Sequence, residues 1–207
     1  MNYGVAGHLL KIRLKYSDYY CHDMIKFWYS NKSQRRMHNP LYEIVESYKS
    51  EEITKATVLS NSWLSYRNKS MTFDEILEEA GESFKKYGLG DCCKYPTIVE
   101  IKPSGGPACE SLFTLHRRIP ENKVDSKECS NSPDISINKW SNFPVYLRRF
   151  HINSIQQDEF MEMTINVVEK LTTMKFTFIP EPYYWIVYDP TLMMNKDGNA
   201  EIWIKCE

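Results

Sequence analysis

The sequence predicts an α+β protein, mostly antiparallel β, with two main helices at about 72–87 and 155–173. Three observations lead there. Short stretches in which apolar and polar residues alternate recur along the chain, as half-buried strands do. One segment gathers acidic residues at its start and lysines at its end around an apolar stripe, the pattern of a helix that suits its own dipole. Clusters of Gly, Pro, Asn and Ser punctuate the segments between.

In chain order, 8–16 alternates Leu10, Ile12, Leu14 and Tyr16 against Lys11, Arg13 and Lys15, a strand pattern. The aromatic-rich segment 24–29 is a second strand, closed by Ser30 and Asn31. Residues 41–48 and 53–66 are less decided, although Ile53, Thr54, Thr57 and Val58 favour strand in the latter. The first helix follows. Ser70 or Thr72 can cap it, Asp74, Glu75, Glu78 and Glu79 crowd its opening turns, and Lys85, Lys86 and Gly88 end it. Phe73, Ile76, Leu77, Ala80, Phe84 and Tyr87 form its apolar face.

Strands are expected at 97–101 and 111–119, joined by the turn-rich 102–108, and the polar stretch 120–133 reads as an exposed loop. Another strand is expected at 144–152. Residues 153–174 fit both periods: Phe160, Met163, Val167, Leu171 and Met174 recur as on a helix, whereas Met161, Met163, Ile165 and Val167 alternate. Length favours the helix, with Ser154 and Gln157 as a capping box. Strands at 175–179, 183–188 and 200–206 close the chain, with Asp197-Gly198 as a tight turn. No repeat is visible in the sequence. Its 207 residues suit one domain, 1–207, or a basic and aromatic β segment, 1–70, followed by an α+β region, 71–207.

Net charge is −1, from 26 basic and 27 acidic residues, which removes the simplest argument for a nucleic-acid protein. Apolar runs are short and mean hydropathy is −0.51, so no transmembrane helix or membrane insertion is expected. Six cysteines without an apolar leader predict free thiols in a cytoplasmic, intracellular protein. Cys92, Cys93, Cys109, His116 and Cys129 invite a zinc reading, but their spacing matches no paired-ligand pattern, so no metal is expected. Nucleophile, phosphate-loop and dinucleotide motifs are absent, and the expectation is a non-catalytic protein without a cofactor. Positive charge gathers locally instead, in Arg35 and Arg36 within 32–38, in Arg117 and Arg118, and in Arg148 and Arg149. Such residues neutralise phosphates while neighbouring aromatics stack on bases.

From Phe73 to about Lys127 the chain resembles a double-stranded-RNA-binding domain. The helix 73–87, the link through Tyr95 and Pro96, the strand 97–101 and the segment Gly106-Pro107-Ala108-Cys109-Glu-Ser-Leu-Phe113 follow that family's order, with Cys109 where the family has histidine. The resemblance implies recognition of duplex RNA by shape and phosphate contacts. Gly106 and Pro107 would shape a groove-facing turn, and Glu75 or Glu79 would meet ribose hydroxyls. Arg117, Arg118, Lys123 and Lys127 would meet phosphates. Small nonstructural proteins of segmented double-stranded-RNA viruses, seadornaviruses among them, are similar in kind, which implies a viral protein that sequesters duplex RNA. The alternative expectation is a protein–protein interaction or matrix-type assembly module. It would bind its protein partner through a Tyr/Trp-rich surface formed by Tyr183, Tyr184, Trp185, Tyr188 and Trp203.

Overall fold

A computed structural model describes residues 41–87, 96–106, 109–119, 134–152, 156–188 and 198–207. The chain divides into two compact units, Met1–Leu41 and Tyr42–Glu207, and every element described belongs to the second. The strands expected at 8–16 and 24–29, the basic segment 32–38 and the loop 120–133 lie outside the described residues.

Strand β1 (Tyr42–Tyr48) is followed by β2 (Ile53–Val58), β3 (Asn61–Ser70) and helix α1 (Phe73–Lys86). Then come β4 (Thr97–Lys102), β5 (Ser111–Arg118), β6 (Ile135–Trp140) and β7 (Phe143–Ile152). Helix α2 (Gln157–Thr173), β8 (Phe178–Val187) and β9 (Gly198–Cys206) complete the order. All nine strands join one sheet, β1-β2-β7-β9-β8-β4-β5-β3-β6, and each pair that reports a register is antiparallel. The class is α+β with a strand majority.

The topology contains a duplication that no sequence repeat announces. The run β2-β3-α1-β4-β5 is repeated as β6-β7-α2-β8-β9. Within the first run β5 pairs with both β3 and β4; within the second, β9 pairs with both β7 and β8. The first two strands of each run match in length, six residues in β2 and β6 and ten in β3 and β7, while β8 is longer than β4. The leading strand of each run is exchanged: β2 pairs with β7, and β6 with β3. The exchange keeps register, since Val58 faces Phe143 as Trp140 faces Asn61. Between the runs, β4 pairs with β8 at a central seam, Ile98 facing Ile186 and Glu100 facing Tyr184. The links Leu59-Ser60 and Asn142-Ser141 occupy equivalent places and touch, the Ser60 N–H donating to Asn142 Oδ1 at 2.7 Å.

These links force the sheet to curl. A two-residue link spans at most about 11 Å, whereas β2 and β3 stand six places apart in the sheet order, roughly 29 Å if the sheet were flat. The curl is visible in contacts across the concave side. Tyr42 on β1 donates to Glu201 on β9 at 2.8 Å, and the Trp140 and Tyr184 rings, on β6 and β8, are 5.8 Å apart.

Both helices pack on the other side. Phe73, Ile76, Ala80 and Phe84 of α1 and Phe160, Val167 and Leu171 of α2 share one core with Leu64, Tyr66, Val99, Ile101, Phe113, Leu115, Trp185, Ile202 and Ile204. Residues 157–173 are therefore helical: their buried positions recur every three or four residues, while Met161 and Ile165 stay exposed. Trp185 Nε1 donates to Thr164 Oγ1 at 2.9 Å, which pins the centre of α2 to the sheet. The expected capping box of Ser154 with Gln157 falls outside the described residues at Ser154. The Gln157 side-chain oxygen accepts from the Phe73 N–H at 2.7 Å, so α2 satisfies a bare donor at the start of α1. Thr72 is the cap residue of α1 without a side-chain cap bond, and the Ser70 hydroxyl donates to Glu75 at 2.5 Å. The strands expected at 175–179 and 183–188 are one strand, β8, whose register shifts between Ile179 and Tyr183, where Pro180 and Pro182 cannot donate to a ladder.

Of the C-terminal aromatics expected to form a surface, Tyr183 and Tyr188 are half-buried. Tyr184, Trp185 and Trp203 are buried, because alternate residues of β8 and β9 face either the helices or the concave side. Among the described residues no helix is long and apolar enough to cross a membrane.

Trp185→Ala is expected to cost about 3–5 kcal/mol in urea unfolding, by removing a helix-to-sheet anchor and leaving a cavity. Met161→Ala, on the exposed side of α2, is expected to stay within about 0.5 kcal/mol.

Candidate functional site

Among the described residues no helix covers the concave face, yet polar groups are buried there. They fall into two halves, one on each side of the β4–β8 seam. Register relates the halves. Arg118 stands opposite Trp63, the third residue of β3, and Lys205 opposite Val145, the third residue of β7. Arg118 and Lys205 are thus equivalent, and by the same count so are His116 and Trp203, and Thr114 and Glu201.

In the second half Glu201 is almost wholly buried. Its carboxylate accepts from the Tyr42 hydroxyl at 2.8 Å, Arg149 Nε at 2.8 Å and Trp203 Nε1 at 2.7 Å. Burial pushes the Tyr42 and Tyr188 hydroxyls up, and the Glu201 charge adds to both. Burial also works against the charge on Arg149, but Glu201 and Tyr42 more than restore it and hold the guanidinium above its ordinary range. This carboxylate is surrounded by donors, the condition under which a buried charge is tolerated.

A second cluster straddles the seam, with Trp63, His116 and Trp140 from the first half and Phe143, Tyr184 and Lys205 from the second. Trp140 on β6 is half-buried at the centre of a ring cluster. Trp63 lies 4.9 Å from it, His116 4.8 Å edge-on, Phe143 5.6 Å and Tyr184 5.8 Å. Lys205 places its ammonium 4.9 Å from the centre of Phe143 and 5.3 Å from that of Tyr184, a cation over two ring faces. Burial raises the Tyr184 hydroxyl, and the Glu100 carboxylate beside it raises it further.

His116 Nδ1 shares a 2.7 Å hydrogen bond with the Ser65 hydroxyl. Its Nε2 is 3.8 Å from Glu100 Oε2, too far for a hydrogen bond. Burial lowers the imidazole pKa to about 3, so this contact is a polar one and not an ion pair at neutral pH. His116 Nε2 and Trp63 Nε1 are both buried without a hydrogen-bond partner. Orphaned buried nitrogens are uncommon, and two in one ring cluster mark a place where polar groups stand ready.

The residues singled out from the sequence do not assemble in one place. Glu79 accepts from Tyr66 at 2.7 Å and Asn68 at 3.0 Å, bonds that lower its pKa and fasten α1 to β3. Glu75 accepts from Ser70. Arg117 lies on the helix side with its guanidinium 5.1 Å from the Phe84 ring, whereas Arg118 is buried on the concave side, because neighbours in a strand face opposite ways. The two do not form one phosphate clamp. Gly106 accepts at its carbonyl from the Cys109 N–H and the Ser104 hydroxyl in the β4–β5 connection. Arg148 bonds Glu52 and Asn166 on the helix side, and Arg149 bonds Glu201 on the other. Pro107, Lys123, Lys127, Arg35 and Arg36 lie outside the described residues, as do Cys92, Cys93 and Cys129. Among the described residues, no group of three His, Cys, Asp or Glu is placed to hold a metal ion.

Glu100 and Glu201 were not singled out. Their signal was available: each is a lone acid between apolar neighbours in a strand, Val99-Glu100-Ile101 and Ala200-Glu201-Ile202.

No family model and no curated protein sequence matches this chain. In structure it is similar to EcmrR in a cryo-EM structure of an EcmrR–DNA complex, with a TM-score of 0.52 and 12% identity over 97% of this chain and 72% of that one. At that identity the likeness is one of fold. It is also similar to SAV2435 bound to tetraphenylphosphonium, with a TM-score of 0.47 and 8% identity over 75% of this chain and 94% of that one.

The buried imidazole sets a pH dependence. Its pKa in the folded chain, about 3, lies below the ordinary 6.5, so between these values the unfolded chain binds a proton that the folded chain refuses. The stability due to neutral His116 is complete above the upper value and is lost as pH falls through this window, by up to about 1.4 kcal/mol per pH unit. His116→Gln should flatten the acid limb of a plot of unfolding free energy against pH. An unchanged slope would show that His116 does not titrate this way.

Proposed function

We propose that the protein is a non-catalytic binding protein that holds a small organic cation with an aromatic or apolar body on its concave face. The observation that carries this reading is the Lys205 ammonium over the Phe143 and Tyr184 rings, with the Glu100 carboxylate next to the Tyr184 hydroxyl. The chain already seats a cation of its own there. Ring faces attract cations more strongly once water is displaced, and a carboxylate adds charge complementarity. A ligand that carried its own ammonium would replace Lys205, whose half-exposed side chain can turn towards solvent.

Duplex RNA binding is a second reading. It is favoured by the succession of α1, β4 and β5, an antiparallel pair after a helix as the family resemblance implies, and the viral setting belongs to it. The separation of Arg117 from Arg118 weighs against a shared phosphate clamp. An RNA duplex of about 20 base pairs, titrated at low and physiological salt, tests it. Binding that weakens steeply with salt supports it, and no binding at low salt removes it.

Calorimetric titration with benzyltrimethylammonium and with its neutral isostere neopentylbenzene tests the first reading. The cation is expected to bind and the isostere to bind more weakly. Lys205→Met should raise cation affinity by about 3- to 10-fold by removing the internal competitor, and Glu100→Gln and Trp140→Ala should lower it. Equal affinity for cation and isostere would contradict the reading.

A further inference from the structure

His116 and Glu100 are diagonal neighbours on the concave face. His116 stands opposite Ile98 and Glu100 opposite Thr114, so the two side chains reach towards each other across one step of register. They stop short of a bond. His116 is 2% exposed and its Nε2 has no hydrogen-bond partner, while Glu100 Oε2, on a side chain 31% exposed, lies 3.8 Å away. We propose that this gap receives a hydroxyl group of the ligand, so that the cation held by the concave face is an amino alcohol, with an apolar body and a hydroxyl on a short carbon chain. The inference rests on the cation reading above and narrows its ligand class.

The proton positions follow from the surroundings. Burial keeps the imidazole neutral at neutral pH, so one ring nitrogen donates and the other accepts. Nδ1 shares its 2.7 Å bond with the hydroxyl of Ser65, directly opposite in register, and a hydroxyl can play either part. Nε2 faces a carboxylate oxygen, and a lone pair there would meet negative charge. The proton therefore sits on Nε2, and Ser65 donates to Nδ1.

A gap of 3.8 Å is too wide for a direct hydrogen bond, yet an oxygen set to one side lies within hydrogen-bond distance of both groups. The bridging group must accept from the Nε2–H and donate to the carboxylate. A hydroxyl does both, whereas an ammonium only donates and an ether or carbonyl oxygen only accepts. The gap is also close to the cation seat. The Tyr184 hydroxyl bonds Glu100, and the Tyr184 ring carries the Lys205 ammonium 5.3 Å from its centre. One tyrosine ring thus separates the two places, the span of a short chain between an onium centre and its hydroxyl. The exposed side of Glu100 lets the carboxylate turn and admit the group. A cation without a hydroxyl leaves the buried donor unpaired, which is how such a site discriminates.

Calorimetric titration with three benzyldimethylammonium cations tests the proposal, the fourth substituent being 2-hydroxyethyl, 2-methoxyethyl or propyl. The hydroxyethyl cation is expected to bind about 10-fold more tightly than the propyl one. The methoxyethyl cation, which cannot donate to Glu100, should lose most of that advantage. His116→Phe should abolish the advantage and leave the propyl cation's affinity in place. Ring nitrogen-15 shifts of His116 in the unaltered protein give a test that does not depend on the variant's folding. They should place the proton on Nε2 and move with the hydroxyethyl cation more than with the propyl one. Equal affinity for these two cations would overturn the proposal while the cation reading stands. So would equal affinity for the methoxyethyl and hydroxyethyl cations, a hydroxyl advantage that survives His116→Phe, or a proton on Nδ1. No binding of any of the three would overturn the cation reading and this inference together.

Discussion

A three-stranded sheet with a helix on one face has two bare edges, and each βαββ run of this chain faces that problem twice. The inner edges, β4 and β8, pair with each other across the central seam. The outer edges, β3 and β7, are each covered by the leading strand of the opposite run. Unpaired edges invite association with other chains, and among the described strands this exchange leaves β1 and β6 at the margins. Everything else follows from how the exchange is made. Two-residue links carry the chain from β2 to β3 and from β6 to β7, so the ends of the sheet must approach one another. The sheet curls, the helices take the outer side, and aromatic and charged side chains from distant strands meet on the inner side.

The two halves of the inner face occupy equivalent backbone positions and carry different chemistry. Glu201 sits where the first run has Thr114, and Trp203 where it has His116. The result is one half whose carboxylate is met by tyrosine, arginine and indole donors. The other half keeps two orphaned nitrogens, and the Lys205 ammonium of the second half rests on rings where the halves meet. A saturated buried charge fixes the fold around it, whereas buried nitrogens without a partner keep their hydrogen-bonding capacity unspent. This division of labour explains why the candidate sites gather around Trp140 and not around Glu201.

The local elements were legible in the sequence wherever periodicity and charge agreed. Asp74 and Glu75 before Lys85 and Lys86 mark α1, and the alternation in 97–101 and 111–119 marks β4 and β5. What was hidden is non-local. The duplication leaves no sequence repeat because equivalent positions meet different neighbours, as Thr114 and Glu201 show. Nothing in residues 53–70 reveals that β2 and β3, joined by two residues, pair with different partners. The curl follows from that exchange and was equally out of reach. Site residues were sought where charge is conspicuous, on the acidic face of α1 and in the arginine pairs. Glu75 and Glu79 instead fasten the helix to β3, and strand alternation splits each arginine pair between the two faces. The informative acids were Glu100 and Glu201, single charges inside apolar strands, and for the buried Glu201 the cost of burial demands a reason.

The central claim is that small ligands enter the concave face at Trp140 and leave the helix side untouched. The tryptophan indole N–H resonances report on this directly, since Trp63 and Trp140 lie in the ring cluster, Trp203 beside Glu201 and Trp185 under α2. With the five signals assigned by single Trp→Phe variants, a titration with benzyltrimethylammonium should move the Trp140 and Trp63 signals together and leave Trp185 in place. Movement of Trp185 to the same extent, or no movement of Trp140 at saturating ligand, would contradict the account.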